Sequence, residues 1–201
     1  MNTILFQGDS VTDCDRDRDD PDSLGEGYPL YASKLLPGVR MLNRGISGHR
    51  AKDLAARWQE DCLDLHPDTV SILIGINDVW RRYDSNDPTP DAAFEASYRR
   101  LLDPLRGTRV LLILPFLLDV SAGVTAMRED LEGKQAVIRR LAGEYGTDLL
   151  DADALFLAAV QNENENENEK KPPAYYAADG VHPTKEGHML LARAVAGALL
   201  G

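Results

Sequence analysis

The chain has 201 residues, 43% apolar and 27% charged, a composition ordinary for a soluble protein and a length that suits one domain. Its 22 Lys and Arg against 33 Asp and Glu leave a net charge of −11, which argues against nucleic acid or an anionic membrane as a partner held by charge. It lacks the ~20 continuous apolar residues of a spanning helix, its opening MNTILFQGDS has no basic or long apolar region of a secretory signal, and Cys14 and Cys62 are too few for a disulfide framework, so the expected setting is the reduced cytoplasm.

In chain order, Thr3–Gln7 is an apolar run without alternation, which predicts a strand buried on both faces. A helical pattern follows over Tyr28–Leu36, then a strand over Val39–Asn43 and a helix over Ala51–Leu65. Strands are expected again over Val70–Ile74, Val110–Leu114 and Thr147–Leu150, with helices over Asp91–Leu105, Thr125–Glu144 and Lys185–Leu200. Strand followed by helix, repeated, predicts right-handed crossovers and a three-layer α/β/α domain spanning 1–201, built on a five-stranded parallel sheet. Alternating Asn and Glu from Asn162 to Glu169 cannot bury an apolar face. A solvated loop is expected there, with a lid over the neighbouring Asp179–His182 segment as the alternative.

In open parallel sheets ligands bind beyond the carboxyl ends of the strands. Gly8-Asp9-Ser10 follows the first strand, Asn43-Arg44-Gly45-Ile46-Ser47-Gly48 the second and Gly75-Ile76-Asn77-Asp78 the third. Asp179-Gly180-Val181-His182-Pro183 precedes the last helix. These segments supply the parts of an acyl-transfer site. Ser10 offers a hydroxyl on a tight turn, and a serine becomes a nucleophile once a base takes its proton. His182 is the natural base near neutral pH. Asp179, three residues earlier, is placed to orient the ring. The N–H groups of Ser10 and Gly45 and the amide of Asn77 are candidate oxyanion donors.

This set resembles the SGNH (GDSL-type) hydrolases, whose four blocks supply Ser, Gly, Asn and His. Ser10, Gly45, Asn77 and His182 match one block each, in order, and Asp179 matches the Asp of the D-x-x-H block. The resemblance implies a flavodoxin-like sheet and a serine esterase without metal or cofactor. Gly45-Ile46-Ser47-Gly48, Ile74 through Arg81 and Gly187-His188-Met189 also resemble the bacterial acetylxylan-esterase subgroup. That subgroup removes acetyl groups from sugars and often forms homo-oligomers. The substrate it implies is a small ester, an acetylated sugar above all.

Plainer readings stand beside these. Ser10 alone would be a capping serine. Asp9 is a candidate substrate contact or a carboxylate that holds the turn. Arg44 is a candidate contact to substrate or to Asp78. Trp80 and Tyr83 are candidates for stacking on a sugar ring, with packing under the loop the alternative for Trp80. Among the other histidines, His49 is placed to line the pocket, His66 to end a helix and His188 to pack or face solvent. Asp13, Asp15 and Asp17 alternate like the start of an EF-hand loop, but Arg18 and Leu24 stand where that loop needs Gly and Glu. They are read as a solvated loop paired with Arg16 and Arg18, and no metal or nucleotide motif is present. The rival functions are a thioesterase or lysophospholipase of the same family, a silent carbohydrate-binding protein on the same scaffold, and a flavodoxin-like receiver or cofactor binder.

Overall fold

The computed structural model describes residues 2–161 and 171–201, so the tract Asn162–Glu169 lies outside the described residues. The five strands are β1 (Thr3–Gly8), β2 (Arg40–Asn43), β3 (Thr69–Leu73), β4 (Arg109–Ile113) and β5 (Asp148–Leu150). They form one sheet in the order β2-β1-β3-β4-β5, and every neighbouring pair is parallel. The expected three-layer fold and its strand count are both present, in the flavodoxin-like order.

The helices are α1 (Ser10–Asp13), α2 (Tyr28–Leu35), α3 (Ala51–Ala56), α4 (Trp58–Asp61), α5 (Ile76–Asp84) and α6 (Asp91–Leu102). After β4 come α7 (Ala122–Thr125), α8 (Arg128–Tyr145), α9 (Ala152–Gln161), α10 (Pro173–Tyr176) and α11 (Lys185–Leu200). The expected single helix over Ala51–Leu65 is broken at Arg57. Its guanidinium turns inward to Gln7 Oε1 at 3.2 Å, Asp61 Oδ2 at 2.7 Å and the Gly8 carbonyl at 3.4 Å. α6 stops at Leu102, and a 3₁₀ turn over Asp103–Leu105 carries Pro104, which cannot donate to a continuing helix. The helices α5 and α9 and the short α1, α7 and α10 have no counterpart among the expected helices.

Alternate residues of each strand enter opposite cores, as the pleat requires. Leu5, Val70, Ile72, Val110 and Leu112 pack with Leu54, Trp58, Phe94, Tyr98, Ile138 and Leu141 of α3, α4, α6 and α8. Ile4, Phe6, Leu111 and Ile113 pack with Tyr28, Phe156, Leu191 and Val195 of α2, α9 and α11. A third, smaller cluster of Ile76, Val79, Leu117, Met127, Leu131 and Val181 lies beneath the segment that carries His182.

The loop after β2 is pinned to α1. Buried Asn43 donates through Nδ2 to the carbonyls of Thr12 at 2.7 Å and Leu24 at 2.9 Å, and its Oδ1 accepts from the Gly45 N–H at 2.8 Å. A Cβ on Gly45 would stand 2.4 Å from the Asp13 nitrogen and 2.8 Å from the Thr12 carbonyl carbon. Only glycine admits so close a backbone. Gly45→Ala is therefore expected to cost ~1–3 kcal/mol, as overpacking does, seen as a Tm lower by ~2–4 °C per kcal/mol. An unchanged Tm in a thermal scan would mean that the loop retreats from α1 freely.

Candidate active site

Asp9 ends the β1 turn and caps α1, its Oδ1 accepting from the Val11 N–H at 3.1 Å. Ser10 is thus not the cap; it is the first residue of α1, and its hydroxyl is left to face the His182 ring. Ser10 Oγ lies 2.8 Å from His182 Nε2, and His182 Nδ1 lies 2.6 Å from Asp179 Oδ2. The other carboxylate oxygen, Asp179 Oδ1, accepts from the backbone N–H of His182 at 2.7 Å and of Val181 at 2.9 Å. The loop that carries them is held from outside, the Leu118 N–H donating to the Gly180 carbonyl at 2.8 Å.

These contacts set the charge states. Burial alone would raise the Asp179 carboxyl, but hydrogen bonds from the His182 ring and from the two backbone N–H groups hold it well below the usual carboxylate range. The Asp179 hydrogen bond and charge raise His182 above an ordinary imidazole, against the opposing effect of its burial. An ionised carboxylate, a ring fixed at one nitrogen and a hydroxyl at the other can together draw the proton off a serine.

The Ser10–His182 pair sits between two open clefts. One, of about 250 Å³, is walled by Ser47, Gly48, Asn77, Trp80, Arg81 and Asp84. The other, of about 220 Å³, runs past Cys14, Asp15, Pro183 and His188. Asn77 lies in the first turn of α5, lines the cleft and donates from Nδ2 to the His49 carbonyl at 3.0 Å, which uses one of its two amide N–H groups. Trp80 packs partly buried against the small cluster below and also lines the same cleft, its ring centroid 5.9 Å from that of His182.

Four expectations change. Gly45 does not reach the cleft, because its N–H is spent on Asn43 and its α-carbon faces α1. Gly48, three residues on, lines the cleft at φ +83°. The N–H groups of Gly48 and Ser10 find no acceptor among the described residues. Asp9 lies beneath the site, 1% exposed, and burial pushes its carboxyl up to about 7. It holds the turn and has no face to substrate. Arg44 points away, donating to the Pro21 and Asn43 carbonyls at 2.9 Å each. Tyr83 stands on the far side of α5, its hydroxyl placed to donate to either the Ala126 carbonyl at 2.9 Å or Asp130 Oδ2 at 2.8 Å.

Sequence reading missed Ser47, Gly48, Arg81 and Asp84 as cleft residues. The signal for two of them was helical spacing. Asn77, Trp80, Arg81 and Asp84 are i, i+3, i+4 and i+7 on α5 and share one face, which Tyr83 does not. Arg81 and Asp84 also pair with each other. Asp13 is no solvated residue. It is buried, accepts from the Ser47 N–H at 2.8 Å and hydroxyl at 2.7 Å, and pairs with Arg18 at 2.6 Å. Burial opposes its ionisation, but those hydrogen bonds hold its carboxyl below the usual range.

The other histidines serve structure. His66 ends the 3₁₀ turn Leu63–Leu65 in the left-handed region at φ 47°. His49 accepts from Arg57 at 3.3 Å. His188 is buried and packed, not exposed. Among the described residues no group of three or more His, Cys, Asp or Glu side chains is placed to hold a metal ion, and no helix is long and apolar enough to cross a membrane.

Residues 6–190 match the model of the GDSL-like lipase/acylhydrolase family. The chain is 38% identical over 209 residues to an acetylxylan esterase from Geobacillus stearothermophilus, a match covering 95% of this chain and 90% of that protein. The crystal structure of that organism's acetylxylan esterase Axe2 superposes with a TM-score of 0.87 at 35% identity, over 98% of this chain and 94% of the other. A putative GDSL-like lipase from Parabacteroides merdae gives a TM-score of 0.89 at 32% identity, over the same shares of 98% and 94%. Two further matched Axe2 structures are of catalytic mutants, one with a serine and one with a histidine replaced by alanine. A family model matching most of the chain, together with a relative of this identity and coverage, establishes that the chain belongs to the GDSL-like lipase/acylhydrolase family and is a serine carboxylic ester hydrolase.

Proposed function

We propose that this esterase hydrolyses short acyl esters, above all O-acetyl groups on xylo-oligosaccharide-like carbohydrate, through an acyl-Ser10 intermediate. The observation that carries the reading is the line of contacts from Ser10 Oγ through the His182 ring to Asp179, at 2.8 Å and 2.6 Å. The similarity to a protein named acetylxylan esterase supports the choice of acyl group and alcohol. So does the cleft, whose Trp80 offers a ring face to a sugar and whose Arg81 and Asp84 offer partners to hydroxyls. A long acyl chain would want an extended apolar groove, and among the residues that wall this cleft Trp80 is the one large apolar side chain.

In this mechanism His182 Nε2 takes the Ser10 proton as Oγ attacks the ester carbonyl. The oxyanion is held by the N–H groups of Ser10 and Gly48 and the free amide N–H of Asn77. Gly48 takes the role that the sequence suggested for Gly45. His182 then passes its proton to the departing alcohol oxygen, and the acyl group stays on Ser10. A water gives a proton to His182 and attacks the acyl carbonyl, and collapse returns the proton to Ser10 and frees the acid.

The reading is tested with p-nitrophenyl esters of increasing acyl length, then with acetylated xylo-oligosaccharides. Fast acetate cleavage that fades with length and is abolished in Ser10→Ala is expected, and Asn77→Ala should lower kcat by ~10²-fold or more. Preference for long chains would move the reading to the lysophospholipase or thioesterase rival. Ser10-independent turnover would remove Ser10 from the mechanism. The pH profile is a second test. Neutral His182 is the active form and its pKa is raised, so kcat/KM should fall as pH drops through a value above the ordinary ~6.5. Asp179→Asn removes the carboxylate that raises it. The acid limb should then move to lower pH while kcat falls by up to ~10⁴-fold. A limb that stays in place would separate Asp179 from the base.

A further inference from the structure

Two oxyanion donors in the proposed mechanism come from separate segments, Gly48 from the turn after β2 and Asn77 from α5. Their spacing has to be fixed by something that joins the two. Two hydrogen bonds do so. Asn77 Nδ2 donates to the His49 carbonyl at 3.0 Å, and the next residue, Asp78, accepts the Ala51 N–H on Oδ2 at 2.9 Å. The grips run in opposite senses and fall on either side of Arg50. One bond alone would be a hinge, whereas two separated by a residue fix orientation as well as distance.

We infer that Asp78 is a positioning residue for the oxyanion hole, clamping the turn that carries Gly48 to the first turn of α5 through the Ala51 N–H and so holding the Gly48 and Asn77 donors in register. The inference rests on the reading of those two groups as the oxyanion donors.

The surroundings of Asp78 point to that bond as its purpose. Asp78 is 1% exposed, and its Oδ1 is buried without a well-formed hydrogen bond among the described residues. Burying a carboxylate with so few donors costs stability. The nearby cations are committed elsewhere. Lys134 Nζ donates to the Thr89 carbonyl at 2.7 Å and to Asp91 Oδ1 at 2.5 Å, and Arg50 pairs with Asp87 at 2.6 Å. The Thr89 hydroxyl and the charges of Lys134 and Arg50 ease that burial in part, but the Ala51 N–H is the one well-formed donor among the described residues, and a carboxylate kept at that cost beside an active site is more readily explained by geometry than by stability. Asp13 makes the matching attachment on the other flank, holding Ser47 to the segment of the nucleophile.

The test measures kcat and KM on p-nitrophenyl acetate for Asp78→Ala, Asp78→Asn, Asn77→Ala, the Asp78→Ala/Asn77→Ala double variant and Ala51→Pro, with thermal unfolding as the folding control. Misplacing a donor by about 1 Å costs up to ~10²-fold in rate. Asp78→Ala should therefore lose ~10- to 100-fold in kcat with little change in KM. Asp78→Asn, which can still accept the Ala51 N–H, should recover most of that loss. The double variant should be scarcely slower than Asn77→Ala alone, since both act on one device. Ala51→Pro deletes the donor and leaves Asp78 in place. Ala51 is the first residue of α3, where proline is accepted, and Arg50 before it is extended at φ −98°, ψ 172°. It should slow turnover as Asp78→Ala does, and it carries the test if Asp78→Ala does not fold. Wild-type kcat in folded Asp78→Ala or Ala51→Pro, or losses that multiply fully with Asn77→Ala, would overturn the clamp. Wild-type kcat in Asn77→Ala would instead overturn the oxyanion reading beneath it.

Discussion

Every strand pair in this sheet is parallel, and that constraint organises the rest. Parallel strands cannot be joined by a tight turn, so the chain must cross the sheet through a helix each time. All five strands therefore end at the same edge, and the loops that leave them collect there from distant parts of the sequence. Ser10 and His182 meet although 172 positions separate them. The crossover helices also bury both faces of β1, β3 and β4, so these strands are largely apolar on both sides, whereas the edge strand β5 is mostly exposed. The segment that carries Asp179 and His182 does not leave a strand and needs other supports. It has the Ala177–Pro183 bridge, the Thr184 N–H donating to the Tyr176 carbonyl at 2.8 Å, and the strap from Leu118 to Gly180.

At that edge an acidic chain turns its carboxylates on its own backbone. Asp9 accepts from Val11, Asp13 from Ser47, Asp78 from Ala51, and Asp179 from Val181 and His182. Each acceptor fixes a turn whose N–H groups no strand satisfies. The electrostatic outcomes differ with the company each carboxylate keeps. Asp13 and Asp179 also accept from a side chain, and both are held below the usual range. Asp9 and Asp78 are the more deeply buried, and burial drives them up to about 7 and about 6. The two that stay firmly ionised hold Ser47 and His182. The two that pay most for burial hold the starts of α1 and α3, beside Ser10 and Gly48.

The strands were legible because burial on both faces writes an unbroken apolar run, and their helical partners followed from the alternation. What sequence could not show was where adjacent residues point. Gly45 and Gly48 are three apart in one loop, and only distances separate the glycine that packs on α1 from the one that lines the cleft. Arg44 and Tyr83 were drawn into the site by adjacency to its motifs, but neither reaches it. Had Ile76–Asp84 been read as a helix, its periodicity would have selected Arg81 and Asp84 and rejected Tyr83. That helix is weakly marked in the sequence because its short apolar set, Ile76, Val79 and Trp80, serves a small satellite cluster. Asn43 and Asp78, which hold the loop after β2 in place, carry no signal at all until their partners are known.

The two histidines nearest Ser10 show how partners decide chemistry where residue type does not. His182 directs Nδ1 at a carboxylate, which leaves Nε2 free to accept the Ser10 proton. His188 accepts the Tyr28 N–H on Nδ1 at 3.1 Å, so when neutral it must carry its proton on Nε2, 3.3 Å from Cys14 Sγ. Burial, with the charge of His182 adding to it, pushes His188 down to about 4. It can neither take a proton from Cys14 nor favour a thiolate by becoming charged, and burial raises the Cys14 thiol as well. A cysteine and a histidine thus line one arm of the cleft without forming a rival nucleophile–base pair. Of these two imidazoles only His182 has a carboxylate rather than a backbone N–H at Nδ1, which is the arrangement the proposed general base requires.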